Sequence, residues 1–162
     1  MLGARALKAD DEKPAEVKKA VTAMNAGVIG LGTRGREALS SLSQLTNARV
    51  SAICDHYPAA LRRGGTAAPD AKPYSDYKKL LADANVKAVV VATPTHLHRE
   101  IVIAALEAGK HVYCEAPVAS TIEDSRAIAQ AAKKAHGLVF QPGLQERSHP
   151  QDRKSTRLNS SH

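Results

Sequence analysis

From residue 26 onward, short apolar runs alternate with segments of helical period, and this alternation predicts the elements in turn. Residues 26–29 form an apolar run that stops at Gly30, and 33–45 then read as a helix. Residues 49–54 are a β-rich run ending at Asp55, and 58–64 suit a short helix, followed by a loop through Pro69 and Pro73. Ser75 is placed to N-cap a helix with Tyr77, Leu80 and Leu81 on one face. Residues 86–92 are almost unbroken valine and alanine, the texture of a strand buried on both faces. Leu97, Ile101, Ala104, Ala105 and Ala108 keep helical spacing until Gly109 stops it. Residues 111–114 are strand-like. Ser120 and Glu123 then fit a capping box for a helix with Ile128, Ala131 and Ala135 inward and Gly137 as its C-terminal stop. Residues 138–141 make one more strand. Strands alternating with crossover-length helices predict an α/β fold, a doubly wound parallel sheet with helices on both faces.

Against this pattern, Gly30-Leu31-Gly32-Thr33-Arg34-Gly35 fits G-x-G-x-x-G. Such a run alone is weak, since a tight β–α turn without any ligand also uses glycines. Here it follows a predicted strand and opens a predicted helix, and Asp55 ends the next strand 20 residues after Gly35. That context is the dinucleotide fingerprint. Gly30 permits the tight turn, Gly32 lets backbone approach a pyrophosphate, and Gly35 permits close helix–strand packing. The helix N-terminus at Thr33 and Arg34 turns unpaired N–H groups toward the phosphates. Asp55 can accept hydrogen bonds from the adenosine ribose. Its charge would repel the 2′-phosphate of NADP, so NAD is the expected cofactor. Arg62 and Arg63, several residues on, are the groups that could reverse this preference.

Other polar residues gather after predicted strand ends, where ligands bind in open α/β sheets. Thr93-Pro94 follows one strand, Glu115 another, and Gly143-Leu144-Gln145 the last. Together they point to one crevice.

With these residues in place, the chain resembles the Gfo/Idh/MocA oxidoreductase family. The likeness spans residues 25–150, and its most specific part is Thr93-Pro94-Thr95-His96-Leu97-His98 followed by Ala108-Gly109-Lys110-His111-Val112. The resemblance implies a Rossmann domain binding NAD or NADP, here residues 25–151, followed by an α+β domain for a sugar or polyol that this chain lacks. It implies that Gly30, Gly32 and Gly35 hold the pyrophosphate and Asp55 the adenosine ribose. It further implies that Thr93, Pro94 and His98 line the cofactor, that Glu115 binds the nicotinamide ribose, and that Gln145 lies near the nicotinamide. The family usually reads Glu-Lys-Pro where this chain has Glu115-Ala116-Pro117. Alanine supplies neither charge nor proton to a developing alkoxide, so no catalytic residue is assigned in this chain. The expected function is hydride transfer to or from a sugar or polyol, the full-length protein being a homo-oligomer. The alternatives are an NAD-dependent glycoside hydrolase of the same superfamily, faintly suggested by Gly143-Leu144-Gln145-Glu146-Arg147, and a non-catalytic dinucleotide-binding module.

Composition narrows the classes further. The chain has 162 residues, 43% apolar, with no Trp and five other aromatics, so base-stacking platforms for nucleic acid are not expected. Its net charge of +7 comes from Lys and Arg spread along the chain without a dense cluster. No apolar run approaches the roughly 18 residues of a membrane span. Cys54 and Cys114 form no C-x-x-C pair and read as small packed hydrophobes. His96 and His98 lack a third partner at metal-ligand spacing, so no metal is expected.

Residues 1–24 read as an arm, with a loose helix at most over 15–23, and carry no signal-peptide h-region. A cytoplasmic location is expected, with a longer, exported precursor left open. Residues 152–162 have no apolar period and resemble a frame-translated sequencing adapter, so they are set aside as a non-native tail. Without Arg153, Lys154, Arg157 and Asp152 the charge falls to +5.

Overall fold

A computed structural model describes residues 23–144. The expected arm over 1–24 and the tail over 152–162 lie almost wholly outside the described residues. Six strands form one all-parallel sheet: β1 (Met24–Ile29), β2 (Ala48–Cys54), β3 (Lys72–Tyr74), β4 (Ala88–Val91), β5 (His111–Glu115) and β6 (Phe140–Gly143). Their order is β3-β2-β1-β4-β5-β6, the doubly wound order whose direction reverses between β1 and β4. The helices are α1 (Thr33–Ser43), α2 (Pro58–Ala67), α3 (Tyr77–Leu81), α4 (His98–Glu107) and α5 (Ile122–Lys134), with a 3₁₀ turn at Thr95–Leu97.

Two cores follow from the strand period of two. Val28, Ile53 and Val90 turn to one face and pack with Leu31, Leu39 and Ala60 beside α1 and α2. Their neighbours Ile29, Cys54 and Val91 turn to the other, against Leu80, Ile101, Val102 and Ile128 of α3, α4 and α5. β4, at the centre of the sheet, is apolar at all four positions because both its faces are covered.

The structure corrects several expected boundaries. The loop through Pro73 contains β3, which pairs Ile53 with Pro73 and Cys54 with Tyr74. Proline is tolerated there because β3 is an edge strand, with no outer neighbour waiting for its N–H. The last strand runs two residues later than predicted and ends in Pro142-Gly143, again at an edge. Asp76, not Ser75, caps α3, its carboxylate accepting from Lys78 N at 2.8 Å. Thr121, not Ser120, caps α5, its Oγ1 accepting from Asp124 N at 3.0 Å. Ala108 is exposed: α4 ends at Glu107 and Gly109 takes φ +72°, so the buried stripe is Ile101, Val102, Ala105 and Leu106.

At the amino-terminal side of the sheet, Lys110 is buried, and its Nζ donates to Asp83 O at 2.9 Å and Val86 O at 2.8 Å. Burial, with Lys87 nearby, holds this amine below the usual lysine range. A charged amine is therefore disfavoured in the fold at neutral pH, and that penalty lessens as pH rises through the lowered value. The two donated bonds still make Lys110 stabilising. Lys110→Met takes the side-chain donor from Val86 O and leaves Asp83 O with Val86 N at 3.2 Å, and is expected to cost about 1–3 kcal/mol. Urea unfolding with an unchanged midpoint would contradict this.

Candidate functional site

The loop from β1 to α1 is built on two close approaches. Gly30 N donates to Cys54 O at 2.8 Å while Ala92 N donates to Ile29 O at 2.8 Å, which ties β2, β1 and β4 at their carboxyl ends. Gly30 sits at φ +90°, and a Cβ there would lie 2.7 Å from the Ala92 carbonyl group. A Cβ on Gly35 would lie 1.8 Å from Gly30 O, so the first turn of α1 rests directly on the loop's own backbone. Gly32 is different. It N-caps α1 at φ −62°, and a Cβ there would meet nothing within 4 Å. Protein packing does not require glycine at 32; the space beside it is open.

That space is a cleft of about 840 Å³ at the switch point between β1 and β4. Gly30, Gly32, Thr33, Arg34, Asp55, Thr93 and Pro94, all predicted as site residues, line it. The Asp55 carboxylate accepts from Leu31 N at 2.8 Å and from Tyr57 N at 2.9 Å. A carboxylate has about four lone-pair positions, so each oxygen keeps capacity for a ligand hydroxyl. Thr93 Oγ1 is buried with no hydrogen-bond partner among the described residues. The open cradle at Gly32, the unspent hydroxyl of Thr93 and the carboxylate of Asp55 fit a dinucleotide: phosphate, polar and ribose groups would each find a partner.

Three expected residues do not line the cleft: Gly35, which packs against the backbone of Gly30, and His98 and Glu115. The His98 side chain is buried, with Nε2 2.8 Å from Thr93 O and Nδ1 3.1 Å from Pro117 O. The ring turns inward because two backbone carbonyls at strand ends need donors that the sheet no longer supplies. Glu115 ends β5 on the wall of a neighbouring apolar groove of about 440 Å³, not on the cleft itself. Arg34 borders both spaces and reaches the Glu115 carboxylate at 3.3 Å while also pairing with Glu37. Those two carboxylates, Glu37 first, raise the Arg34 pKa. Gln145 lies outside the described residues.

The cleft also holds residues that the pattern reading missed, among them His56, Tyr57, Asp76, Tyr77 and Glu100. Asp76 and Tyr77 follow β3, so reading Pro73 as a breaker hid the fact that they too sit beyond a carboxyl strand end. Tyr77 donates to Glu100, and burial together with Glu100 pushes its hydroxyl up to about 12, leaving it a donor at neutral pH. Cys54 and Cys114 are both buried, and burial pushes each thiol up to about 12, which suits packing and not nucleophilic chemistry. No group of three metal-ligating side chains exists among the described residues. Among them, too, no helix is long and apolar enough to cross a membrane.

The family model described as "Oxidoreductase family, NAD-binding Rossmann fold" matches residues 24–143. The chain belongs to the Gfo/Idh/MocA oxidoreductase family. Inositol 2-dehydrogenase of Salmonella typhimurium is 33% identical over 129 residues, which is 76% of this chain and 38% of that protein. Scyllo-inositol dehydrogenase of Lactobacillus casei, solved with bound NAD(H) and scyllo-inositol, superposes with a TM-score of 0.81 at 25% identity. The match covers 86% of this chain and 41% of the dehydrogenase. A 3-ketoreductase variant from Actinomadura kijaniata, solved in complex with TDP-benzene and NADP, gives a TM-score of 0.77 at 28% identity, over 86% of this chain and 44% of its own. The chain thus spans about two fifths of the length of the relatives it matches. What it presents is the NAD-binding Rossmann domain of a Gfo/Idh/MocA oxidoreductase.

Proposed function

We propose that this domain is the cofactor-binding half of an NAD-dependent oxidoreductase acting on a sugar or polyol by hydride transfer. The observation that carries the reading is the meeting of Gly32, the α1 N-terminus and Asp55 in one cleft at the switch point. The N–H groups at the start of α1 would hold the pyrophosphate. Asp55 would accept from the adenosine ribose hydroxyls, and Thr93 and Pro94 would line the cofactor from the β4 side. Glu115 lies off the cleft, joined to it through Arg34, and in this reading would reach the nicotinamide ribose, with Gln145 near the ring. When bound, NAD supplies the hydride acceptor. Ala116, at the position after Glu115, carries no proton and no charge. In this reading the group that takes the substrate's hydroxyl proton therefore comes from a substrate-holding domain beyond these residues. The inositol dehydrogenases among the relatives support a polyol as the substrate class.

Calorimetric titration of the 162-residue chain with NAD tests the reading, and saturable one-to-one binding is expected. Heats indistinguishable from dilution would overturn it. With a panel of inositols, other polyols and sugars, neither this chain nor its Ala116→Lys variant is expected to form NADH. Hydride transfer needs the reactants held in near-attack geometry, which supplies roughly 7–11 kcal/mol of barrier reduction. A charge restored at position 116 cannot orient a sugar that nothing binds. Substrate-dependent turnover by either protein would show these residues to be sufficient and the two-domain reading to be wrong.

A further inference from the structure

His98 opens α4, and only 1% of its surface is exposed. Its ring lies between the carbonyl oxygens of Thr93 and Pro117, at 2.8 Å and 3.1 Å. Carbonyl oxygens only accept, so each contact needs an N–H from the ring: a neutral imidazole donates to one, an imidazolium to both. The two carbonyls belong to different loops. Thr93 follows β4, and Pro117 follows β5. The last register pair between these strands is Val91 with Cys114. Past it the two chains leave the sheet, and the ring spans the gap between them.

Thr93 stands where this bridge meets the cleft, and its Oγ1 is the buried side-chain atom without a partner among the described residues. We propose that His98 is a positioning residue for the dinucleotide. By holding the Thr93 and Pro117 carbonyls it fixes the backbone after β4, so that the Thr93 hydroxyl meets a polar group of the bound cofactor. His98 itself does not touch the cofactor. The proposal rests on the dinucleotide reading above and adds to it which side chain sets the β4 wall of the cleft.

A histidine that merely fills the core would loosen the whole domain when replaced, whereas a positioning residue acts through Thr93. His98→Ala would empty a fully buried site and endanger folding, so the test uses His98→Gln, which keeps an N–H for one carbonyl. It is compared with Thr93→Val and with the double variant, all in the 162-residue chain, by NAD titration. Each single substitution is expected to weaken NAD binding by roughly tenfold, as fits the loss of one buried hydrogen bond. The double variant is expected to bind within about twofold of Thr93→Val, because the ring acts through that hydroxyl. Thr93→Val is also expected to melt no lower than wild type, since it removes a buried hydroxyl that has no partner. Hydrogen exchange without ligand is expected to quicken in His98→Gln at residues 93–97 and 116–119 alone.

Losses that multiply to about a hundredfold on an intact wild-type affinity would overturn this proposal alone. Exchange quickened evenly through α4 and β5 would do the same. Absence of NAD binding by the wild type would overturn the dinucleotide reading and, with it, the proposal.

Discussion

Gly35→Ala is expected to unfold this domain or to lower its melting temperature by more than about ten degrees, while Gly32→Ala is expected to melt like wild type and bind NAD at least about tenfold more weakly. The two glycines lie in one motif, yet their surroundings are opposite. A Cβ at 35 would sit 1.8 Å from Gly30 O and 2.9 Å from the Gly30 carbonyl carbon, and both are backbone atoms that cannot rotate aside. Relief would require α1 to lift off the β1 loop, taking Leu39 out of the core it fills with Val28 and Ile53. Overpacking of this kind costs about 3 kcal/mol or more, a large part of the roughly 5–15 kcal/mol that holds a domain together. At 32 the backbone is already at φ −62° and the added methyl meets no protein atom. It would instead occupy the approach to the first N–H groups of α1, and a weakening of NAD binding by about tenfold or more is expected. Melting curves and NAD titrations of both variants check the pair. Wild-type affinity in Gly32→Ala would take the pyrophosphate away from this loop.

NADP is expected to bind at least about tenfold more weakly than NAD, and Asp55→Asn is expected to bring the two within a few-fold of each other. The Asp55 carboxylate is fixed by N–H donors from Leu31 and Tyr57, so it cannot swing away from a 2′-phosphate beside the ribose. Like charges about 4 Å apart at a partly buried site repel by roughly 4 kcal/mol, enough to dominate the comparison. The wall of the cleft adds Asp76 and Glu100, while Arg34 is its only Arg or Lys among the described residues. Arg62 and Arg63, the candidates for a reversed preference, are exposed on α2 and do not line the cleft. Asp55→Asn keeps an oxygen to accept from one of the two N–H groups and removes the charge, so its effect reads electrostatics more than folding. Parallel calorimetry with both cofactors decides the matter: equal or tighter NADP binding by the wild type would refute the assignment.

How much was legible in the sequence differs by the range of the interaction. The parallel α/β architecture follows from local pattern, because a strand covered on both faces must be apolar at consecutive positions and residues 88–91 are. The motif from Gly30 to Gly35 and the placement of Asp55 are likewise matters of spacing, since a β–α turn and the next strand end are fixed distances along the chain. Lengths and caps were less legible. Whether Ser75 or Asp76, Ser120 or Thr121 caps a helix depends on where the preceding chain delivers each side chain, and both alternatives carry suitable oxygens. Pro73 hid the edge strand β3, and Pro142 hid the end of β6, because only the assembled sheet reveals that these prolines face no outer neighbour.

The site divides along the same line. Sequence by itself determined the residue types at the carboxyl strand ends, and so the class of ligand the crevice can meet. Only the tertiary structure decided which of them face it. His98 and Thr93 are five residues apart in one motif, yet one ring is turned inward by two carbonyls and one hydroxyl is left without a partner beside the cleft. Pro117 is 19 residues from His98 along the chain, and Glu115 is 81 from Arg34; each pair meets because parallel strands bring their carboxyl ends to one edge. Spacing along the chain sets the direction a side chain takes within its own helix or strand. What it meets there is set by the neighbouring strand, and that neighbour is chosen only when the sheet assembles.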